Sequence, residues 1–164
     1  MRLSSAALGS IVFFIVTPGI VAGAMPLWIS GARFHAPFQG YPMMQAAGAI
    51  LIAGGVVSLV ASFARFVWEG RGTPAPIAPT DALVIGGQYR YVRNPMYVAV
   101  LAIIVGQALL FASIPTLVYA AAIFALVHTF VVAYEEPTLL DTYGDAYRAY
   151  TARVPRWLPR IPRR

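Results

Sequence analysis

The chain has no cysteine and no lysine, and it sets only six acidic residues against twelve arginines in 164 positions. Without cysteine there is no disulfide framework, no thiolate nucleophile and no cysteine metal site, so redox chemistry says nothing about the compartment. Charge is scarce as well: 11% of residues are charged and 59% are hydrophobic, which leaves too little polar surface for a soluble domain. The composition is that of an integral membrane protein. Its formal charge of +6 is concentrated in loops and tail, which suits contact with the anionic headgroups of membrane lipids better than contact with nucleic acid. No protein partner is readable.

Four apolar stretches, at about residues 6–29, 43–67, 97–112 and 115–134, stand against the roughly 20 residues needed for one helical span. They predict an all-α integral membrane bundle of four transmembrane helices. The first runs too long for a signal peptide and has no small-residue cleavage site, so it reads as a span. Pro18 beside Gly19 predicts a kink within it. In the second, Gly48, Gly55, Ser58 and Ser62 form a small-residue stripe that lets a neighbouring helix approach closely. Arg2, Arg65, Arg71, Arg90, Arg93 and six arginines after Glu136 fall on one side, against Arg33 on the other. By the positive-inside rule both termini are then cytoplasmic. The chain reads as a single domain over 1–164, with an N-terminal helix pair at 1–64 and a catalytic loop, helical hairpin and C-terminal cap at 65–164.

Polar residues cluster at the two ends of the last hairpin. Gly86-Gly87-Gln88-Tyr89-Arg90-Tyr91-Val92-Arg93-Asn94-Pro95-Met96-Tyr97 opens directly into the third apolar stretch, and the fourth ends at Tyr134-Glu135-Glu136-Pro137. Ionisable groups beside a membrane must be solvated by partners, headgroups or a ligand, which marks them as a functional site. Asn94 is placed to cap the third helix and Pro95 to begin it. From Tyr97 to Phe111 that helix covers only about 22 Å, short of the roughly 30 Å hydrocarbon core. Its start, with Arg93 and Asn94, is therefore expected below the cytoplasmic surface. Adjacent Glu135 and Glu136 repel one another, so a site retaining both must offer a cation in return. Leu139, Leu140, Tyr143, Tyr147 and Tyr150, opposite Asp141, Asp145 and Arg148, predict a C-terminal interfacial amphipathic helix over 137–151. His128, seven residues before Glu135, reads first as a packing residue, and His35 lies in the opposite loop.

Four pieces carry a resemblance: Gly70-Arg71-Gly72-Thr73-Pro74-Ala75-Pro76, the run from Tyr89 to Tyr97, Glu135-Glu136, and Tyr143-Gly144 through Tyr147, Tyr150, Arg153, Val154 and Pro155. In order and spacing they resemble the isoprenylcysteine carboxyl methyltransferase-like and phospholipid (phosphatidylethanolamine) methyltransferase superfamily. The resemblance covers roughly residues 65–160. It implies a membrane core that binds S-adenosylmethionine between the last two helices and the C-terminal segment, and methylates a hydrophobic or lipid-like acceptor at the cytoplasmic face of what reads as a bacterial inner membrane. Many isoprenylcysteine methyltransferases have Arg-His-Pro where this chain has Arg93-Asn94-Pro95. Asparagine keeps hydrogen-bonding capacity, and the departure bears on the acceptor rather than the cofactor.

The residues implied in cofactor binding are Tyr89, Arg93, Asn94, Pro95, Tyr97, Glu135, Glu136 and Arg153, with Arg93, Asn94 and Glu135 implied in catalysis and no metal ligand among them. Either glutamate would serve as a base for an amine acceptor. The remaining tail arginines, with Trp157 among them, read as headgroup anchors. Two other classes compete. A membrane reductase of the steroid reductase-like type would bind NAD(P)H, and a non-catalytic lipid-binding or small transport protein would use the same charges otherwise. The adjacent glutamates argue against the first, and the order of the whole motif against the second.

Overall fold

The described part of each apolar run is helical in the computed structural model, which describes residues 18–33, 41–68 and 83–161. We number the helices α1 (Gly19–Ser30), α2 (Pro42–Trp68), α3 (Pro95–Phe111), α4 (Ile114–Tyr143) and α5 (Asp145–Arg153). A 3-10 turn over Gly87–Arg90 precedes α3, and no strand occurs among the described residues. Residues 1–17, the Gly70–Pro76 motif, His35, Arg163 and Arg164 lie outside them.

Two helices are long and apolar enough to cross a bilayer: α2 over Pro42–Arg65 and α4 over Ile114–Tyr143. Only 28% and 17% of their apolar windows are buried, the reverse of a helix in a soluble core, and Met43, Ile50, Val57, Val118 and Leu126 are exposed on them. Such a surface needs lipid for its solvent. Of the four expected spans, α1 and α3 are the shorter apolar helices. The 17 residues of α3 reach about 25 Å at 1.5 Å per residue. The 30 residues of α4 reach about 45 Å, so α4 runs well past the start of α3 and carries the two glutamates with it.

The core lies where α2, α3 and α4 meet, at Leu59, Phe63, Ala99, Ile103, Ile104 and Ala120, with Ala22 of α1 against it. Close approach is possible because glycines face backbone. A Cβ on Gly48 would stand 2.6 Å from the Gly106 carbonyl oxygen, and one on Gly55 would stand 2.9 Å from that of Ala99. The small-residue stripe is thus a packing seam. At its polar end Ser58 and Ser62 both donate to Gln88 Oε1, at 2.8 and 3.1 Å, and tie the 3-10 turn to α2.

The kink expected at Pro18 would fall on residues before it, outside the described ones; within them α1 holds a π-helical turn over Gly19–Ala24, and Pro26 supplies the reason. Proline has no N–H for the carbonyl four residues back, which frees Ala22 O. Met25 bonds five residues back, to Ile20 O, which frees Val21 O. Gln107 of α3 donates to Ala22 O at 2.6 Å and Tyr119 of α4 to Val21 O at 3.0 Å. A buried amide and a phenol therefore repair the helix and pin it to the hairpin.

The hairpin itself is tight. α3 ends on Ala112 in the left-handed conformation, φ 51, and Ser113 N donates to Ala108 O at 2.9 Å. Ser113 then caps α4 by accepting from Thr116 N at 3.3 Å. At the other end α4 does not stop at Glu136. A π turn over Val131–Glu135 precedes Pro137, and the helix continues to Tyr143, where Gly144, φ 53, breaks it before α5. The single amphipathic helix expected over 137–151 is thus two helical pieces, the first of them the end of α4.

Candidate functional site

α3 begins beside the π turn of α4, and the segment after α5 crosses both. Arg93 N donates to Pro155 O at 2.9 Å and Arg160 N to Tyr91 O at 2.9 Å. Asn94 Nδ2 donates to Arg156 O at 3.2 Å, and Tyr150 OH to Tyr89 O at 2.7 Å. Residues 154–161 thereby form a strap laced onto residues 89–94. Asn94 occupies the N-cap position of α3 but makes no side-chain cap hydrogen bond; its buried amide holds the strap instead. Trp157 closes the other edge, donating from Nε1 to His128 Nδ1 at 3.1 Å and standing edge-on to Phe124 at 5.3 Å.

Within this enclosure the adjacent glutamates part company, because neighbouring residues on a helix point about 100° apart. Glu136 takes charge from two sides. Arg156 grips it in a fork, Nε to Oε1 at 2.7 Å and Nη2 to Oε2 at 2.8 Å, while Arg93 Nη1 reaches Oε1 at 2.9 Å. The side chains of Arg93 and Glu136 are only 13% and 18% exposed, so this is a largely desolvated ion cluster, the kind whose members cannot be removed singly without leaving an unpaired charge. Glu135 has one partner among the described residues, Tyr97, whose OH donates to Oε2 at 3.0 Å.

One donor is left over. Arg93 Nε is buried and has no hydrogen-bond partner among the described residues, an unusual state for a charged group. Burial, and next the charge of Glu135, push the Tyr89 phenol well above its ordinary range. Burial also raises Tyr147 and Tyr150, so all three remain neutral near neutral pH. The Arg156 guanidinium is held more firmly protonated by its hydrogen bond to Glu136.

Of the residues singled out in the sequence, Tyr89, Arg93, Asn94, Pro95, Tyr97, Glu135 and Glu136 are brought to one end of the bundle. Arg153, at the end of α5 beside the strap, is exposed and makes no ion pair with either glutamate among the described residues. The cations that two adjacent acids call for are Arg93 and Arg156, both on Glu136. His128 proves to be an acceptor within an aromatic cluster. Gln88 stands in the polar cluster and Tyr147 and Tyr150 in the family-like run, yet the sequence marks none of the three as a cofactor-binding or catalytic residue. A groove of about 310 Å³, floored by Gly54, Gly55 and Ala99, runs between α2 and α3 to Ser58, the residue that donates to Gln88.

In comparison with protein families, the model of the phospholipid methyltransferase family fits residues 43–146, from the first turn of α2 into α5. Comparison with curated proteins finds no match.

Proposed function

Since the chain belongs to the phospholipid methyltransferase family, we propose that it uses S-adenosylmethionine to methylate a lipid-like acceptor at the cytoplasmic interface of the membrane. The observation that carries this reading is the unequal pairing of the two glutamates. Glu136 is neutralised by Arg93 and Arg156, whereas among the described residues the Glu135 carboxylate is held by Tyr97 alone and Arg93 Nε has no partner.

That donor set suits the cofactor's own charges. Arg93 would hold its carboxylate through Nε–H, a charge-assisted bond, and Glu135 would stand against its cationic end. When bound, S-adenosylmethionine supplies a methyl group activated for in-line displacement. Everything else falls to the protein. Tyr97 fixes the Glu135 carboxylate, and Glu136 ties the strap down through Arg156. Tyr89, Tyr147 and the strap exclude water, so that orientation and desolvation provide the acceleration. Where the acceptor atom carries a proton, Glu135 takes it; Glu136, saturated by two guanidiniums, cannot. The apolar groove ending at Ser58 supports a hydrocarbon-bearing acceptor.

Titration calorimetry of the detergent-purified protein with S-adenosylhomocysteine and, separately, NADPH tests the reading. Saturable binding of the first, weakened at least tenfold in Glu135→Gln, is the expected result. Binding of NADPH alone would transfer the protein to the reductases, and binding of neither by folded protein would remove the catalytic assignment.

A further inference from the structure

Not all the arginines near the strap serve the buried cluster. Residues 83–94 and 153–161 carry Arg90, Arg93, Arg153, Arg156 and Arg160 and no acid. Arg93 and Arg156 are committed to Glu136. The other three are exposed, and none of them has an ion pair among the described residues. Their carriers are laced together by the bonds from Arg160 N to Tyr91 O and from Arg93 N to Pro155 O, so the segments that bear these charges are held side by side.

Large apolar side chains stand on the same two segments. Leu158 is 79% exposed, Ile161 82%, Ile85 52% and Tyr91 43%. Cations interleaved with exposed aliphatic and tyrosine side chains match neither bulk water nor hydrocarbon; they match the zone where phosphates meet acyl chains.

We propose that this face of the strap is a seat for an anionic phospholipid, with Arg90, Arg153 and Arg160 meeting the headgroup phosphate and Leu158 and Ile161 lying in the acyl boundary. Charge complementarity selects the partner. A zwitterionic headgroup offsets its phosphate with its own ammonium, whereas an anionic one does not. The exclusive use of arginine sharpens the match, because its planar fork pairs with two phosphate oxygens and is more weakly hydrated than an ammonium. None of its three arginines belongs to the Glu135–Glu136 cluster, and Arg90 and Arg160 stand outside the implied cofactor set as well.

The test uses full-length protein in a neutral detergent, titrated with dioctanoyl phosphatidylglycerol, dioctanoyl phosphatidylcholine or sodium phosphate while thermal unfolding is followed. Phosphatidylglycerol should stabilise at concentrations at least tenfold below phosphatidylcholine. That preference should weaken as salt is raised and the charges are screened, and fall roughly fivefold for each arginine replaced by glutamine, reckoning each basic side chain near an anionic surface at about 1 kcal/mol. Arg90→Gln/Arg153→Gln/Arg160→Gln should melt like wild type without lipid and lose the preference. If the triple variant does not fold, the single Arg160→Gln decides on the same readout. Equal stabilisation by the two lipids, an undiminished preference in the variants, or equal stabilisation by inorganic phosphate would each overturn the proposal.

Discussion

Where α2 crosses α3, contact is made by absence: Gly48 and Gly106 let two backbones touch, with Ile52 and Ile103 filling the space alongside. Where α3 begins, contact is made by charge and directed hydrogen bonds between Arg93, Glu136, Arg156, Asn94 and the strap. Both regions bring distant residues together, yet their physics differs. The glycine seam is apolar, tolerates no added atom and depends on dispersion between close-packed helices. The charged end tolerates changes of shape but not of charge, because each buried ion depends on its partner. A membrane protein can use the first throughout its hydrocarbon-spanning part, while the second is placed where headgroups, water and a ligand can share in solvating charge.

Substitutions separate the two regimes. The largest effect is expected at the seam. Leucine at Gly48 would drive its side chain into the Gly106 carbonyl and the Leu110 backbone, costing about 3 kcal/mol or more. Gly48→Leu should fail to give a monodisperse peak in size-exclusion chromatography, and normal behaviour would show that the seam can open. Next comes Glu135→Gln, nearly isosteric and still able to accept from Tyr97 OH. It should lower methyl transfer to lipid extracts by about 100-fold or more, with an unchanged melting temperature; retained activity would relieve Glu135 of its role.

Glu136→Ala should behave in the opposite sense. It leaves Arg93 and Arg156 unpaired and costs about 2 kcal/mol, less than the roughly 3–5 kcal/mol for a fully buried pair because Arg156 is 32% exposed. The strap should then be cut by protease near Arg156 faster than in wild type, and an equal cleavage rate would argue that the backbone bonds alone hold it. The smallest effect is at the hairpin tip. Ala112→Gly relieves a left-handed φ that costs an L-residue about 1–2 kcal/mol, a gain partly offset by the freer unfolded glycine, so a modest rise in melting temperature is expected. A fall would mean that the Ala112 methyl packs against something important.

Legibility in the sequence followed the same divide. Hydrophobic length found the helices, and the recurrence of Gly48 and Gly55 identified a close-packed face before any partner was known. Proline and glycine located irregular backbone, yet the π turn of α1 follows from Pro26, whose consequence is felt four residues upstream and which the sequence reading did not single out. Glu135 and Glu136 were recognisable as a site because charge is so scarce. Their division of labour was not, since the difference between them is made by Arg156 and Tyr97, 20 and 38 residues away. Arg153 and Arg156 sit three apart in an arginine-rich tail and look equivalent there; the β conformation at Val154 turns one outward and the other inward.

What the sequence by itself determined was therefore its solvent and its punctuation: long apolar runs that need lipid, small residues in register, and a few charges at the ends of one hairpin. Local spacing suffices for these because hydrophobicity and helical period act between near neighbours. Only the tertiary structure decided which carboxylate is saturated, which arginine closes the strap and which donors repair the broken helices. Those outcomes depend on directed bonds across dozens of residues, and no local pattern encodes the direction in which a side chain finds its partner.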